Sequence, residues 1–249
     1  MIEVRGKKLE TARLGPLQGP TLVLLHEGLG SLGLWRDFPQ KLSDRTGLGA
    51  FIYSRAGYGR SDPVPLPRPA RYMHDEAELL PELLRSAGIS DPILVGHSDG
   101  ASIAIIAAGM GLSARALVLE APHVFTEEGG LESIAKVRDL YIQSDLRARL
   151  ARWHDDVDNA FHGWNGAWLH PEFRQWNLEA YLPSIPSPIL MIQGLNDEYG
   201  SEAQLRAVAR GAGGPTETVL LPDCGHSPHK DKPEETLQAM AGFLRRVLD

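Results

Sequence analysis

Cysteine is almost missing from this 249-residue chain: Cys224 stands alone, which excludes an intrachain disulfide and any fold that depends on one. Long apolar runs are missing as well. The best candidate, 101–110, falls far short of the roughly 18 residues that a membrane span requires. Positive charge is not in excess, since 25 Lys and Arg face 32 Asp and Glu for a net −7, and this removes the electrostatic motive for binding nucleic acid or an anionic membrane. The first ten residues, MIEVRGKKLE, carry charge where a secretory signal carries an apolar stretch, so the expected location is the cytoplasm. Internal repeats are absent, and the one biased stretch, DPVPLPRPA at 62–70, reads as a surface loop.

What remains is an ordinary globular composition, 43% hydrophobic and 23% charged, at a length that suits one α/β core with an insertion. The N-terminus alternates around Arg5-Gly6-Lys7, as an edge hairpin would. Short apolar runs bounded by turn residues then follow: TLVLLH (21–26), AFIYS (50–54), PILVGH (92–97), ALVLEA (116–121), PILMIQG (188–194) and ETVLLP (217–222). Runs without polar alternation fit strands buried on both faces of a parallel sheet. Helical spacing marks 72–86, 99–110, 201–210 and 234–248, with Pro233 and Glu234 placed as helix starters. Strand–helix alternation of this kind predicts a doubly wound, mostly parallel sheet.

One interval breaks that rhythm. From 122 to 186 no strand-like run occurs, and the segment holds Trp153, Trp164, Trp168 and Trp176, leaving only Trp35 elsewhere. A loop of that length without structure of its own is unusual in a compact domain. The expectation is a helical cap at 122–186 inserted into a core made of 1–121 and 187–249.

Gly96-His97-Ser98-Asp99-Gly100 sits between a predicted strand and a predicted helix. G-x-S-x-G in that context predicts a strained turn that lifts the serine hydroxyl above the sheet. A serine hydroxyl needs a base, and the base needs an orienting acid. Gly194-Leu195-Asn196-Asp197 and Cys224-Gly225-His226 each follow a predicted strand, so Asp197 and His226 fall at the carboxyl edge where sites gather in open α/β sheets.

With these segments the chain resembles the α/β-hydrolase superfamily, in particular its small lidded esterase-like members. The resemblance rests on His26-Glu27-Gly28, SRAGYGRSD at 54–62, GHSDG at 96–100, GLND at 194–197 and GHSPHKDKPEE at 225–235. It implies an eight-stranded sheet, a carboxylic ester hydrolase acting on small neutral, apolar acyl or aryl esters, and neither cofactor nor metal. It assigns Ser98 as nucleophile, His226 as base and Asp197 as acid. It also assigns the backbone amides of Asp99 and Gly28 to an oxyanion hole, with Glu27 or Leu29 as alternatives to Gly28, because Glu27 stands where the family usually has glycine. Ser54 replaces a frequent aspartate, with a structural consequence at most. Asp99, beside the nucleophile, is expected to disfavour anionic esters.

Other residues compete for these roles. Glu120, at the end of ALVLEA, is the second candidate for the acid. His229 reads as a surface residue, His97 as packed behind the serine turn, and His26 as a brace for the oxyanion turn. The run 153–158, WHDDVD, reads as a solvated helix face and not a metal site. Cys224 reads as a small buried residue. Leu29 is expected to line the substrate pocket, together with one or more of Trp164, Trp168 and Trp176. Ser98 argues against the superfamily's aspartate-nucleophile enzymes. Carbon–carbon bond hydrolases, lactonases and cofactor-free perhydrolases remain alternatives on the same three side chains, and a non-catalytic small-molecule receptor is the alternative from another class. Monomer and homodimer both stay open.

Overall fold

The structure, a computed structural model, describes residues 1–16 and 19–248; Asp249, the last residue of the expected core, lies outside them. In chain order the first half comprises β1 (Ile2–Val4), β2 (Lys7–Leu9), β3 (Thr11–Leu14), β4 (Thr21–Leu25), α1 (Phe38–Thr46), β5 (Gly49–Tyr53), α2 (Tyr72–Ser86), β6 (Pro92–His97), α3 (Asp99–Gly109) and β7 (Ala116–Glu120). The second comprises α4 (Glu128–Gln143), α5 (Leu146–Leu150), α6 (Val157–Trp168), β8 (Ile189–Gly194), α7 (Glu202–Gly211), β9 (Thr216–Leu221), α8 (Pro228–Asp231) and α9 (Pro233–Leu248).

Seven strands form one sheet in the order β3-β5-β4-β6-β7-β8-β9, antiparallel at the β3–β5 edge and parallel elsewhere. Its inner strands bury alternate residues on opposite faces. Val23, Leu25, Leu94, Leu117 and Met191 pack toward α2 and α3, whereas Leu22, Leu24, Ile93, Val118 and Ile192 pack toward α1 and α9. That two-sided burial explains why these runs show no polar alternation.

The strand count differs from the eight implied by the resemblance. β1 and β2 form a separate two-stranded sheet, turning through Arg5 and Gly6, both at positive φ. Val4 and Leu9 bury their side chains with those of α2, and Arg5 bonds Glu82 and the Glu78 carbonyl. The hairpin therefore covers a helix and does not extend the sheet. Helix α1 was not legible in the spacing of apolar residues; Pro39 in its first turn and left-handed Gly47 after its end delimit it.

The chain runs from β4 to β5 on one side and returns with β6 on the other side of β4. The strand order reverses there, so the loops after β4 and β6 diverge and leave a crevice at their carboxyl ends. Between β7 and β8 lie α4, α5, α6 and two short 3-10 turns, Pro171–Gln175 and Glu179–Ser184, and no strand of the main sheet. Tyr141 of α4 stacks on Phe161 of α6 with ring centres 3.6 Å apart, and both belong to the apolar cluster that continues onto the α2/α3 face of the sheet. Among the described residues no helix is long and apolar enough to cross a membrane.

Candidate active site

Ser98 occupies the turn between β6 and α3 at φ 54° and ψ −116°, a region that a residue with a side chain rarely adopts. Close packing on both sides enforces it. A methyl group built on Gly96 would lie 2.4 Å from the Gly100 carbonyl oxygen, and one on Gly100 would lie 1.9 Å from that of Leu25. Only glycines let the helix approach the strands so closely, and this approach lifts the serine above the sheet.

The loops after β8 and β9 are joined to each other. Asn196 N–H donates to the Cys224 carbonyl at 2.9 Å and Leu195 N–H to that of Leu221 at 2.9 Å. Asp197 accepts hydrogen bonds from the Tyr199 and Gly200 amides, which fixes its carboxylate. His226 Nδ1 then lies 2.8 and 2.9 Å from the two Asp197 oxygens, and His226 Nε2 lies 2.9 Å from Ser98 Oγ. Three side chains up to 128 positions apart thus form one hydrogen-bonded line. Asp197 is 1% exposed and His226 11%, so the acid is shielded while the imidazole edge reaches the cavity.

The electrostatics follow from that line. Burial opposes charge on His226, but Asp197, helped by Glu27 and Glu198, raises its pKa above the ordinary 6.5. Burial likewise opposes charge on Asp197, yet its bond to His226 holds it below the usual carboxylate value. The chemistry available is proton transfer from the serine hydroxyl to an imidazole whose charged form is stabilised from behind.

A family model described as the Alpha/beta hydrolase family matches residues 22–239. The chain belongs to that family. The fold superimposes on a bacterial membrane phospholipase A (TM-score 0.81, 22% identity, covering 100% of this chain and 86% of that one). It also superimposes on a thermophilic esterase from Thermogutta terrifontis (0.78, 18%, 99% and 97%). A proline iminopeptidase of Mycobacterium smegmatis is similar as well (0.73, 17%, 99% and 97%). No curated protein matches the chain. Three activities at comparable likeness mean that the likeness is one of fold, and that chemistry must be argued from this alpha/beta hydrolase's own side chains.

Its cavity above Ser98 and His226 has a volume of about 330 Å³. Leu29, Ile134, Val137, Trp164 and Trp168 form the apolar wall, while Glu27, Glu198, Lys230 and Asp231 bring charge to the lining. Leu29, Trp164 and Trp168 therefore stand where expected. Trp176 does not: it stacks on Phe173 at 5.1 Å and packs beside Trp168, outside the cavity lining.

Asp99 also departs from expectation. Its side chain is fully buried, accepts hydrogen bonds from Tyr72 Oη and Trp168 Nε1, and lies 3.5 Å from Arg55 Nη2. It does not contribute to the cavity lining, and Arg55, Tyr72 and Trp168 compensate its charge in the interior. Glu120 fails as the acid for a similar reason. Its Oε2 accepts from the backbone N–H and Nδ1 of His229, at 3.0 and 2.9 Å, and not from His226. His229, expected at the surface, is consequently buried against Trp35, Phe38 and His97.

His97 is packed behind the turn as expected. Burial lowers its pKa to about 3, and the neutral ring donates from Nε2 to the His226 carbonyl at 2.7 Å, anchoring that loop. Ser54 has the structural part expected of it, bridging the Leu32 amide and Glu10 Oε2. Cys224 is buried, with its thiol pushed up to about 11 by burial, which leaves it protonated.

Three residues escaped sequence reasoning. His123 lines the cavity with its ring centre 5.6 Å from that of His226, and burial lowers its pKa to about 4, leaving it neutral. Its place just past β7, at the carboxyl edge, was the available signal. His154 is buried, accepts from the Gly59 amide and donates to the Leu29 carbonyl, so WHDDVD is no solvated face at that position. It ties the inserted segment to two core loops. Lys230 pairs with Glu27 at 2.8 Å and joins α8 to the turn after β4. Among the described residues, no group of three or more His, Cys, Asp or Glu is arranged to hold a metal ion.

Proposed function

We propose that this alpha/beta hydrolase cleaves carboxylic esters through an acyl-enzyme on Ser98. The observation that carries the reading is the unbroken Ser98–His226–Asp197 hydrogen-bonded line at a cavity that Ser98 and His226 line. His226 Nε2 takes the hydroxyl proton as Ser98 Oγ attacks the ester carbonyl, whose electron pair moves onto its oxygen. Asp197 keeps the ring in the Nδ1–H tautomer and stabilises the imidazolium. The Asp99 and Gly28 amides receive the oxyanion. Collapse expels the alcohol, which leaves with the proton from His226; water activated by the same nitrogen then releases the acid. We place 122–186 as a cap that walls the acyl site, and the cytoplasm as the compartment.

The test is turnover of 4-nitrophenyl acetate and butyrate together with fluorophosphonate labelling. One label per chain, on Ser98, is expected. Folded protein that neither labels nor turns over excludes the reading, and a single acylation without release would make the protein a receptor.

The lining charges refine the substrate class. Glu27, Glu198 and Asp231 outnumber Lys230, so neutral esters should be favoured over anionic ones, through these carboxylates and not through Asp99. Glu198→Gln should improve 4-nitrophenyl hemisuccinate relative to 4-nitrophenyl butyrate roughly three- to tenfold in kcat/KM, the scale of one part-screened charge interaction. An unchanged ratio would remove Glu198 from the account.

The pH profile follows from the His226 shift. The imidazole must be neutral to act as base, so the acid limb of kcat/KM should lie above the ordinary 6.5, and Glu198→Gln should move it downward. For stability the sign is opposite. A raised folded-state pKa favours the protonated form, so this contribution is complete below the unfolded value and fades as pH rises through the folded one.

A further inference from the structure

Arg55 is a fully buried charge, enclosed just after β5 and outside the cavity lining. Its guanidinium makes three contacts. Nη1 donates to the His26 carbonyl at 3.0 Å, Nη2 donates to the Glu27 carbonyl at 2.9 Å, and Nη2 lies 3.5 Å from the Asp99 carboxylate. Its own backbone N–H donates to His26 Nε2 at 3.0 Å, which makes Nε2 the acceptor and Nδ1 the protonated nitrogen of that ring. Nδ1–H is then the donor in the 2.7 Å contact to the Glu27 carbonyl. One carbonyl oxygen, that of Glu27, therefore accepts from the guanidinium, the imidazole N–H and the Gly30 backbone N–H, the last at 3.1 Å, and the guanidinium is the only cation among the three.

The consequence lies at the other end of the same peptide unit. Among the described residues the only cis peptide bond is Leu66–Pro67, so the Glu27–Gly28 unit is trans and its N–H points opposite to its C=O. With the oxygen fixed toward Arg55, the Gly28 N–H points away from the guanidinium, and Gly28 lines the cavity together with Ser98. A cation on the carbonyl also withdraws electron density through the amide and strengthens the N–H as a donor.

We infer that Arg55 is the positioning residue of the oxyanion hole, setting and polarising the Gly28 amide through the Glu27 carbonyl while neutralising Asp99 beneath the second amide. The inference rests on the ester-hydrolase reading, and wild-type labelling at Ser98 tests that reading first and separately.

Arg55→Lys keeps the charge but cannot span both carbonyls. Per fluorophosphonate-labelled site, it should lower kcat about 10- to 100-fold, less than or comparable with outright loss of one oxyanion donor, with KM within about threefold. A trifluoromethyl ketone reports on the same interaction. Ser98 Oγ adds to its carbonyl, the proton passes to His226, and the carbonyl oxygen becomes an oxyanion, so its affinity should fall in parallel with kcat/KM. The acid limb should not move, because Arg55 does not act through His226. If Arg55→Lys fails to fold, Arg55→Met/Asp99→Asn removes both buried charges and should show the same losses relative to Asp99→Asn alone. In the unsubstituted protein the Gly28 amide proton should move downfield in the ketone adduct, with those of Glu27 and Leu29 unmoved. A variant that loses labelled sites but keeps kcat per site and ketone affinity would make Arg55 merely structural. A downfield shift at Glu27 or Leu29 in place of Gly28 would equally overturn the inference.

Discussion

Ser98→Ala should lower ester turnover by roughly 10⁶-fold while leaving the fold intact, the scale seen when a serine nucleophile is removed from a working triad. The loss is expected in kcat, since the cavity walls proposed to bind substrate, Leu29, Trp164 and Trp168 among them, are untouched. The stability expectation comes from the backbone. Ser98 sits at φ 54° because Gly96 and Gly100 permit a close crossing of strand and helix. Alanine inherits that strain without adding an atom, so stability should stay within about 1 kcal/mol of the parent. Fluorophosphonate labelling should vanish with turnover, and retention of more than about 1% activity by a clean preparation would defeat the acyl-enzyme proposal.

Asp197→Asn should cost about 10⁴-fold in kcat, because an amide can donate to Nδ1, leaving the proton on Nε2, where it blocks proton transfer from Ser98. The informative comparison is Glu120→Gln. Glu120 ends β7 and Asp197 lies in the loop after β8, at the same edge of the sheet, and both hold an imidazole at Nδ1: His226 for Asp197 and His229 for Glu120. Only the first imidazole reaches Ser98. Glu120→Gln should therefore keep kcat within about tenfold and instead destabilise the fold by about 1–3 kcal/mol, through the weakened hold on the His229 loop. His229 keeps the Glu120 carboxyl below its ordinary 4.5 despite burial, so that stabilisation is present above the unfolded value and is lost as pH falls through the folded one. Denaturation curves at several pH values together with kcat separate the two acids. A Glu120→Gln variant as inactive as Asp197→Asn would exchange their roles.

Much of this site could be read before any coordinates. Ser98, Asp197 and His226 each follow a short apolar run, and a parallel sheet brings the carboxyl ends of such runs to one edge, so order and spacing placed all three there, while their roles came from the family resemblance. Gly96 and Gly100 were legible because a strained turn needs them. The inner strands were legible because burial on both faces leaves a run with no polar member.

What escaped depends on partners distant in sequence. Asp99 beside a nucleophile invited the idea of a charge facing substrate, whereas Tyr72, Trp168 and Arg55, from three separate elements, take it into the interior. His229 and Trp176 were misjudged for the same reason, since their surroundings come from the sheet edge and the helices between β7 and β8.

The amino-acid order alone determines which residues can do chemistry and which edge of the sheet they reach, because strand and turn preferences are local and the right-handed strand–helix–strand connection leaves few ways to stack them. Tertiary structure decides which carboxylate meets which imidazole, which tryptophan meets the cavity and which carbonyls a buried guanidinium holds. Those pairings depend on distances of about 3 Å between segments that no local preference links, so only the packed fold can select them.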